Sequence, residues 1–384
     1  MAGRCEPSAR MSSDGLFDAL YARGAVAAEV DGRAWLAAML DVEKALAKAC
    51  AAEGLIDAAS ATAIAHACRV ERFDLSAIAA ATAESATPVI AIVAALRDAV
   101  GEQIAPQVHL GATSQDIIDT AAMLVARRAL EPLLADTAVA ASAAAALAQT
   151  HRATRMAGRT LLQQAHASTF GLRAAGWYAG LAEACAGLRE VAHERLAVQM
   201  GGPVGTRAPQ IGARVAAELA LAEPALAWGA IRVRPAQLAG ALGVLAGVFA
   251  KIAADVVLFS QTEVGEVREG GGPGRGGSSA MAHKRNPVAS VSVIACTARV
   301  PGLVATMLAV MRQEHERAAG AWQAEWGTLS DLLALVGSAA AWSADLLANV
   351  EVDVERMREN AAGLEGDLDA VDALIDRALA VSAE

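Results

Sequence analysis

Glu269-Gly-Gly-Gly-Pro-Gly-Arg-Gly-Gly-Ser-Ser-Ala-Met-Ala-His-Lys-Arg-Asn-Pro287 breaks an Ala-rich chain that reads as helix on both sides. Upstream, residues 237–267 read as one helix of roughly thirty residues, well above the usual mean. Downstream, Asn286 reads as an N-cap with Pro287 at the first helical position. Helix then runs through Cys296, kinks near Pro301 and continues past Trp326 to Val350. Long helices joined by a glycine run make an all-α bundle. Residues 270–277 are hinge-like backbone. Residues 278–286 carry Ser278, Ser279, Met281, His283, Lys284, Arg285 and Asn286, which is not linker composition.

The composition agrees with a bundle. Hydrophobic residues make up 55% of the chain but aromatics only 3%. The apolar surface therefore comes from Ala, Leu and Val, and Ala and Leu are strong helix formers. Period-two runs of β-branched residues are nearly absent, so little sheet is expected. The net charge is −10, with no basic stripe, which argues against nucleic acid as a partner. Only four lysines occur, and Lys284 is one of them. The five cysteines show no C-x-x-C spacing, so neither a disulfide framework nor a metal site is indicated, and a reducing cytoplasm is expected. Residues 1–14 lack the apolar core of a signal peptide. Residues 235–250 are very apolar but hold Gln237 and three glycines. They read as a buried bundle helix rather than a membrane span.

Working outward, three parts are expected: a small N-terminal helical domain (1–108), a central bundle of long helices (109–350) and a short helical tail (351–384). Thr113-Ser-Gln-Asp116 fits a capping box before a helix that Pro132 should interrupt. Residues 151–164 read as an Arg-rich connector, with helix from Ala165. Residues 199–212 read as loop, and 212–228 as a helix broken at Pro224.

Several motifs have two readings. A phosphate loop needs Lys before Ser278, where Gly277 stands. The G-x-G-x-x-G match at Gly272, Gly274 and Gly277 follows a helix, not a strand, so the dinucleotide context is missing. Ser278 near Lys284 suits proton transfer: a Ser oxyanion can act as base if an ammonium and backbone N–H groups stabilise it. Asn286 is an N-cap or a ligand contact. Thr113 and Ser114 either close a capping box or hold an anion at the helix start. His109 is a structural histidine or a ligand contact. Gln163, Gln164 and His166 suggest a wet pocket, His151 and Arg152 a surface. Trp322 and Trp326 should pack together.

Gly277-Ser-Ser-Ala-Met-Ala-His-Lys-Arg-Asn-Pro287 resembles the signature loop of the fumarase, aspartase, argininosuccinate lyase and adenylosuccinate lyase superfamily. His109-Leu-Gly-Ala-Thr-Ser-Gln-Asp116 resembles its first signature region, and Gly158-Arg-Thr-Leu-Leu-Gln-Gln-Ala165 its second. The match covers most of residues 80–350. Within the superfamily the chain is most similar to the bacterial cycloisomerases that act on 3-carboxy-cis,cis-muconate. Gln313-Glu-His-Glu-Arg-Ala-Ala-Gly-Ala-Trp-Gln-Ala-Glu-Trp326 carries that likeness. So does a paired absence: Leu161 and Val291 stand where other branches place a His and a Glu that relay protons. Ala282 replaces the usual loop Pro, His166 departs from the pattern, and the family's third domain is largely missing.

The resemblance implies a cofactor-independent, metal-free cycloisomerase. It would convert 3-carboxy-cis,cis-muconate to 4-carboxymuconolactone in the protocatechuate branch of the β-ketoadipate pathway. Ser278 would transfer the proton. Lys284 and Asn286 would hold the carboxylate that gains enediolate charge, and Thr113 and Ser114 another carboxylate. His109 and Gln163 would orient the substrate beside Ser279, Met281 and His283. The resemblance also implies a homotetramer whose sites are shared between subunits, with a small polycarboxylate as partner and neither nucleic acid nor membrane. Alternatives are a β-elimination lyase on a succinyl-type substrate such as adenylosuccinate, and a non-catalytic binding or structural protein.

Overall fold

The computed structural model describes residues 15–272 and 275–381. Residues 1–14, with Cys5 and the signal-peptide question, lie outside them. Two short helices, α1 (Asp18–Tyr21) and α2 (Val26–Glu29), lead into α3 (Gly32–Ala52), α4 (Ala58–Ala67), α5 (Leu75–Ser85) and α6 (Val89–Val100). The long α7 (Ser114–Thr150) follows, then a hairpin of β1 (Arg155–Thr160) and β2 (Gln163–Thr169). Next come α8 (Phe170–Glu194), α9 (Pro209–Leu219), α10 (Val233–Phe259) and β3 (Val267–Glu269). The chain ends with α11 (Val288–Thr297), α12 (Val300–Ala309), α13 (Ala321–Asn349), β4 (Val350–Val352), α14 (Val354–Asn360) and α15 (Val371–Leu379). The fold is mostly helical. Its centre is α7 packed on α13, α8 and α3, with α10 and α11 closing the bundle against α13. Leu332, Leu333, Leu335 and Val336 of α13 are wholly buried.

Pro132 does not interrupt α7, which runs 37 residues through it. A helix-interior proline costs about 3 kcal/mol by losing one ladder bond and crowding the preceding turn. Leu130 and Leu133 beside it are at most 2% exposed, and burying each contributes about 1.5–3 kcal/mol. Packing therefore outweighs the local defect.

Residues 155–169 form a hairpin, not the expected connector, and helix starts at Phe170 instead of Ala165. The strands pair antiparallel from Arg155 opposite Thr169 to Thr160 opposite Gln163, with an irregularity at Gly158. A Cβ at Gly158 would lie 2.6 Å from the His166 carbonyl oxygen. The two turn residues, Leu161 and Leu162, both have positive φ, +51° and +64°, the twist that two-residue hairpins need. The tail supplies the hairpin's outer partners. Ala167 N–H donates to Glu365 O at 2.8 Å, Gln164 Nε2 to Asn360 O at 3.0 Å, and His166 Nδ1 lies 3.3 Å from Glu365 O. Gln164 and His166 thus brace the tail and do not line a wet pocket. His151 is half-buried, its ring edge-on to Phe170 at 5.4 Å.

Three other boundaries differ from expectation. α9 ends at Ala220 in the left-handed region (φ +50°), so Pro224 lies in irregular chain. α10 stops at Phe259, and β3 pairs with β4, tying the start of the glycine run to the end of α13. The helix expected from Pro287 to Val350 is three helices, with residues 310–320 irregular and Gly320 (φ +108°) leading into α13. The tail, expected to be helical throughout, opens with β4.

Among the described residues four segments, including all of α10 (27 residues), are long and apolar enough to cross a membrane by length and composition alone. Their apolar faces pack on one another in part, most fully for α13, and α7, α13 and the residue before α10 bury Asp116, Asp119, Glu325 and Arg232. Cys50, Cys68, Cys185 and Cys296 are free thiols. Burial pushes the Cys68 thiol up to about 12, which suits inert core positions.

Candidate active site

The glycine run ends in a pinned neck. Glu269 accepts hydrogen bonds from Ala289 N–H (2.8 Å), Ser290 N–H (2.8 Å) and Ser290 Oγ–H (2.7 Å). It therefore caps α11, the role expected of Asn286. Arg275 bridges the neck to Asp345 on α13, 3.0 Å from Oδ1 and 2.9 Å from Oδ2. Asn286 ties the lid to itself: its backbone N–H donates to Gly276 O at 2.7 Å, and its side-chain Nδ2 to Gly276 O (3.1 Å) and Gly277 O (3.4 Å). Gly276 has φ +70°, and a Cβ there would fall 2.4 Å from Asn286 O, so only glycine fits. Asn286 spends its donors on shaping the loop.

The lid's outer edge is one tight turn. Ser278 Oγ accepts N–H bonds from Ala280 (3.2 Å) and Met281 (3.1 Å). Met281 O in turn accepts from Lys284 N–H at 3.1 Å. Two aligned N–H dipoles on a hydroxyl oxygen favour its oxyanion. Ser279 Oγ makes no such bond. Ser279, Met281, His283 and Lys284 are exposed. The Lys284 ammonium forms no ion pair among the described residues. Arg285 folds back onto Ala282 O (3.0 Å) and Lys284 O (3.2 Å), clasping the turn from outside.

The connector before α7 is a second cluster. His109 sits in the left-handed region (φ +62°) with Nδ1 2.5 Å from Glu43 Oε1. Thr113 N–H donates to Asp116 Oδ2 at 3.1 Å, as the capping motif predicts. Asp116 also accepts from Gly201 N–H, Gly202 N–H (both 2.9 Å) and Gln199 Nε2 (3.2 Å). Burial pushes its carboxyl up and these donors pull it back, with burial prevailing. Asp116 is thus an internal brace. Ser114, the first residue of α7, is half-buried, with the helix N-terminus behind it.

Arg317 joins this cluster, and the sequence reading missed it. Its guanidinium donates to Thr113 Oγ1 and, at 3.4 Å, to Gln115 Oε1. The available signal was a cation inside the polar run 313–317. Beneath it lies a buried charge network. Arg232 contacts Asp119 (2.7 and 3.1 Å) and Glu325 (2.9 Å) and lies over the Trp228 ring. Trp322, edge-on to Trp326 at 4.9 Å as predicted, donates to Asp119 at 2.9 Å.

The third cluster is the hairpin tip. Gln163 is exposed at its base, and Leu161 and Leu162 at the turn are 95% and 72% exposed. Val291, on the first turn of α11, is 50% exposed. Among the described residues no hydrogen bond or ion pair joins the Ser278–Asn286 turn, the His109–Asp116 connector and the hairpin tip to one another. A 210 Å³ polar hollow beside Asp41, Lys44, Arg127 and Glu218, and a 400 Å³ hollow beside Trp177, Val248 and Lys251, hold none of the predicted residues.

The sequence profile of the lyase family matches residues 13–302. A protein of Bradyrhizobium diazoefficiens named 3-carboxy-cis,cis-muconate cycloisomerase is 44% identical, over 90% of this chain and 79% of its own. A nitrosuccinate lyase of Streptomyces davaonensis is 41% identical, over 92% of this chain and 78% of its own. The solved structure of 3-carboxy-cis,cis-muconate lactonizing enzyme from Pseudomonas putida has a TM-score of 0.87 at 38% identity, over 95% of this chain and 85% of that one. With the profile spanning most of the chain and the helical core shared, the protein belongs to the lyase family and is an enzyme of the fumarase/aspartase superfamily.

Proposed function

We propose that the chain is a cofactor-independent cycloisomerase that closes 3-carboxy-cis,cis-muconate to 4-carboxymuconolactone. The observation that carries the chemistry is Ser278 Oγ held under two N–H groups. In the lactonising direction a substrate carboxylate oxygen adds across the neighbouring activated C=C bond. Charge passes to the activating carboxylate as an enediolate, and a carbon is then protonated. Ser278 supplies that proton and takes it back in reverse. Ala280 and Met281 N–H stabilise the oxyanion left behind. Lys284 neutralises the enediolate. Thr113, Ser114 and Arg317 receive a second carboxylate at the start of α7, with His109 and Gln163 orienting the substrate. The apolar residues Leu161 and Val291 supply no separate acid–base pair, which fits lactonisation, and the 44% identical relative bears this name. Purified protein is expected to consume carboxymuconate in a spectroscopic assay and to leave adenylosuccinate intact. Turnover of adenylosuccinate without carboxymuconate sinks the reading.

A β-elimination lyase on a succinyl-type substrate is the second reading, favoured by the 41% identity to the nitrosuccinate lyase. Nitrosuccinate belongs in the same assay, and its turnover alone would select this reading.

The functional unit is proposed to be a homotetramer with shared sites. Three clusters that no hydrogen bond or ion pair joins among the described residues support it, as do apolar side chains left open on the long helices. Val139 (52%), Val244 (62%) and Leu308 (52%) are among them. Closed symmetric assembly buries such faces. Light scattering is expected to give a tetramer mass; a fully active monomer excludes the arrangement.

A further inference from the structure

Glu43 is the one charged residue that α3 buries, and its side chain is 1% exposed. The same helix buries Met39, Leu40, Val42, Leu46 and Ala47. Oε1 meets His109 Nδ1 at 2.5 Å, while Oε2 is buried with no hydrogen-bond partner. A half-satisfied buried carboxylate is a poor stabiliser, because desolvation opposes whatever the pair gains. A leucine would fill the same space without that cost. The group is better explained by what it does to its partner.

His109 is 14% exposed and starts the connector that delivers Thr113 and Ser114. A carboxylate at Nδ1 requires the proton on that nitrogen and fixes the ring plane. Among the described residues Nε2 makes no hydrogen bond, yet it is not among the buried unpartnered atoms. It is therefore the open nitrogen of a ring whose other end is anchored in the core. The left-handed backbone at His109, φ +62°, is held with this arrangement. Arg207 lies under Gly111 and donates to Cys50 Sγ at 3.5 Å, making no bond to Glu43.

We propose that Glu43 is a positioning residue: from the core of α3 it holds His109 by Nδ1 so that Nε2 is presented to a carboxylate of the substrate at the mouth of the His109–Asp116 connector. In the complex the His109 ring bridges Glu43 and the substrate carboxylate, one ring nitrogen to each. This rests on the polycarboxylate reading of the site, but its first test needs no substrate. In ¹⁵N spectra of the free protein, His109 is expected to show a proton fixed on Nδ1, and Glu43→Gln to release a mixture of ring forms. An unchanged His109 signal overturns the proposal. In kinetics, Glu43→Gln and the volume-matched Glu43→Leu are expected to raise KM about tenfold, one lost charge-assisted contact, with kcat within about threefold. Adding Glu43→Gln to His109→Ala is expected to change KM no further, because one acts through the other. A further tenfold rise in the double variant, or unchanged KM in both single variants, overturns the proposal. Failure of the substrate reading is distinguishable, since it leaves the ring spectrum intact and appears as inactivity of the unsubstituted protein.

Discussion

Ser278→Ala is expected to lower kcat about 100- to 10,000-fold, the usual range for removing a positioned proton-transfer group, while KM stays within about threefold. The substitution deletes one oxygen from an exposed turn. It leaves the neck bonds of Glu269, Arg275 and Asn286 untouched. Two N–H groups lose an acceptor, but they face solvent, so stability should fall by no more than about 1 kcal/mol. Ser279→Ala is the internal control. Among the described residues no hydrogen-bond donor is aimed at Ser279 Oγ, so its loss should cost less than about tenfold. Steady-state rates with both variants check this. Full activity in Ser278→Ala would remove the basis of the proposed mechanism and favour a silent scaffold or a different base.

Arg232→Met should have the largest effect on stability, about 3–5 kcal/mol, the cost of breaking a buried ion network from one side. Arg232 is 3% exposed and stands between Asp119 and Glu325. Burial alone works against the guanidinium charge, but the two carboxylates more than reverse it. For Glu325, burial pushes the carboxyl up and Arg232 pulls it back. Without Arg232, two acids face each other in a dry interior, and one must protonate or admit water. Asp119 is on α7, Glu325 on α13, and Arg232 immediately precedes α10, so three long helices loosen at one end. Arg232→Lys should rescue little, since one ammonium cannot match the fork that meets both acids. Replacing all three by Met and Leu should recover much of the loss. Urea unfolding of the four proteins measures this; a single variant as stable as the parent would show that the network contributes nothing.

Local signals made part of this protein legible. The start of α7 could be read from Thr113 and Asp116 because that cap is built within four residues. The lid could be read because glycines and charged groups stand out in an Ala-rich chain. The hairpin could not. Its strands lack β-branched runs, and its outer hydrogen bonds come from Asn360 and Glu365, about two hundred residues away. The same reason explains Asn286. Its sequence suits an N-cap, but Glu269 reaches α11 from across the loop and displaces it. Arg317 met Thr113 only when folding carried residues 310–320 onto it. The spacing of clusters along the chain says nothing of their separation in space, so the unjoined hairpin tip was invisible until the fold was seen.

Glu269 is bonded to Ala289 and Arg275 to Asp345, so both ends of the glycine-rich stretch between them are anchored and its length costs little. Loop-closure cost grows only with the logarithm of length, about 0.6 kcal/mol per doubling. The turn from Ser278 to Asn286 holds itself together through its own hydrogen bonds. Arg275 on Asp345 and the entry into α11 at Val288 fix the base of that turn, so residues added or lost near Gly270–Gly272 would scarcely alter its geometry. The turn is therefore a cassette whose chemistry, in nine residues at its tip, is insulated from length changes in the run before it.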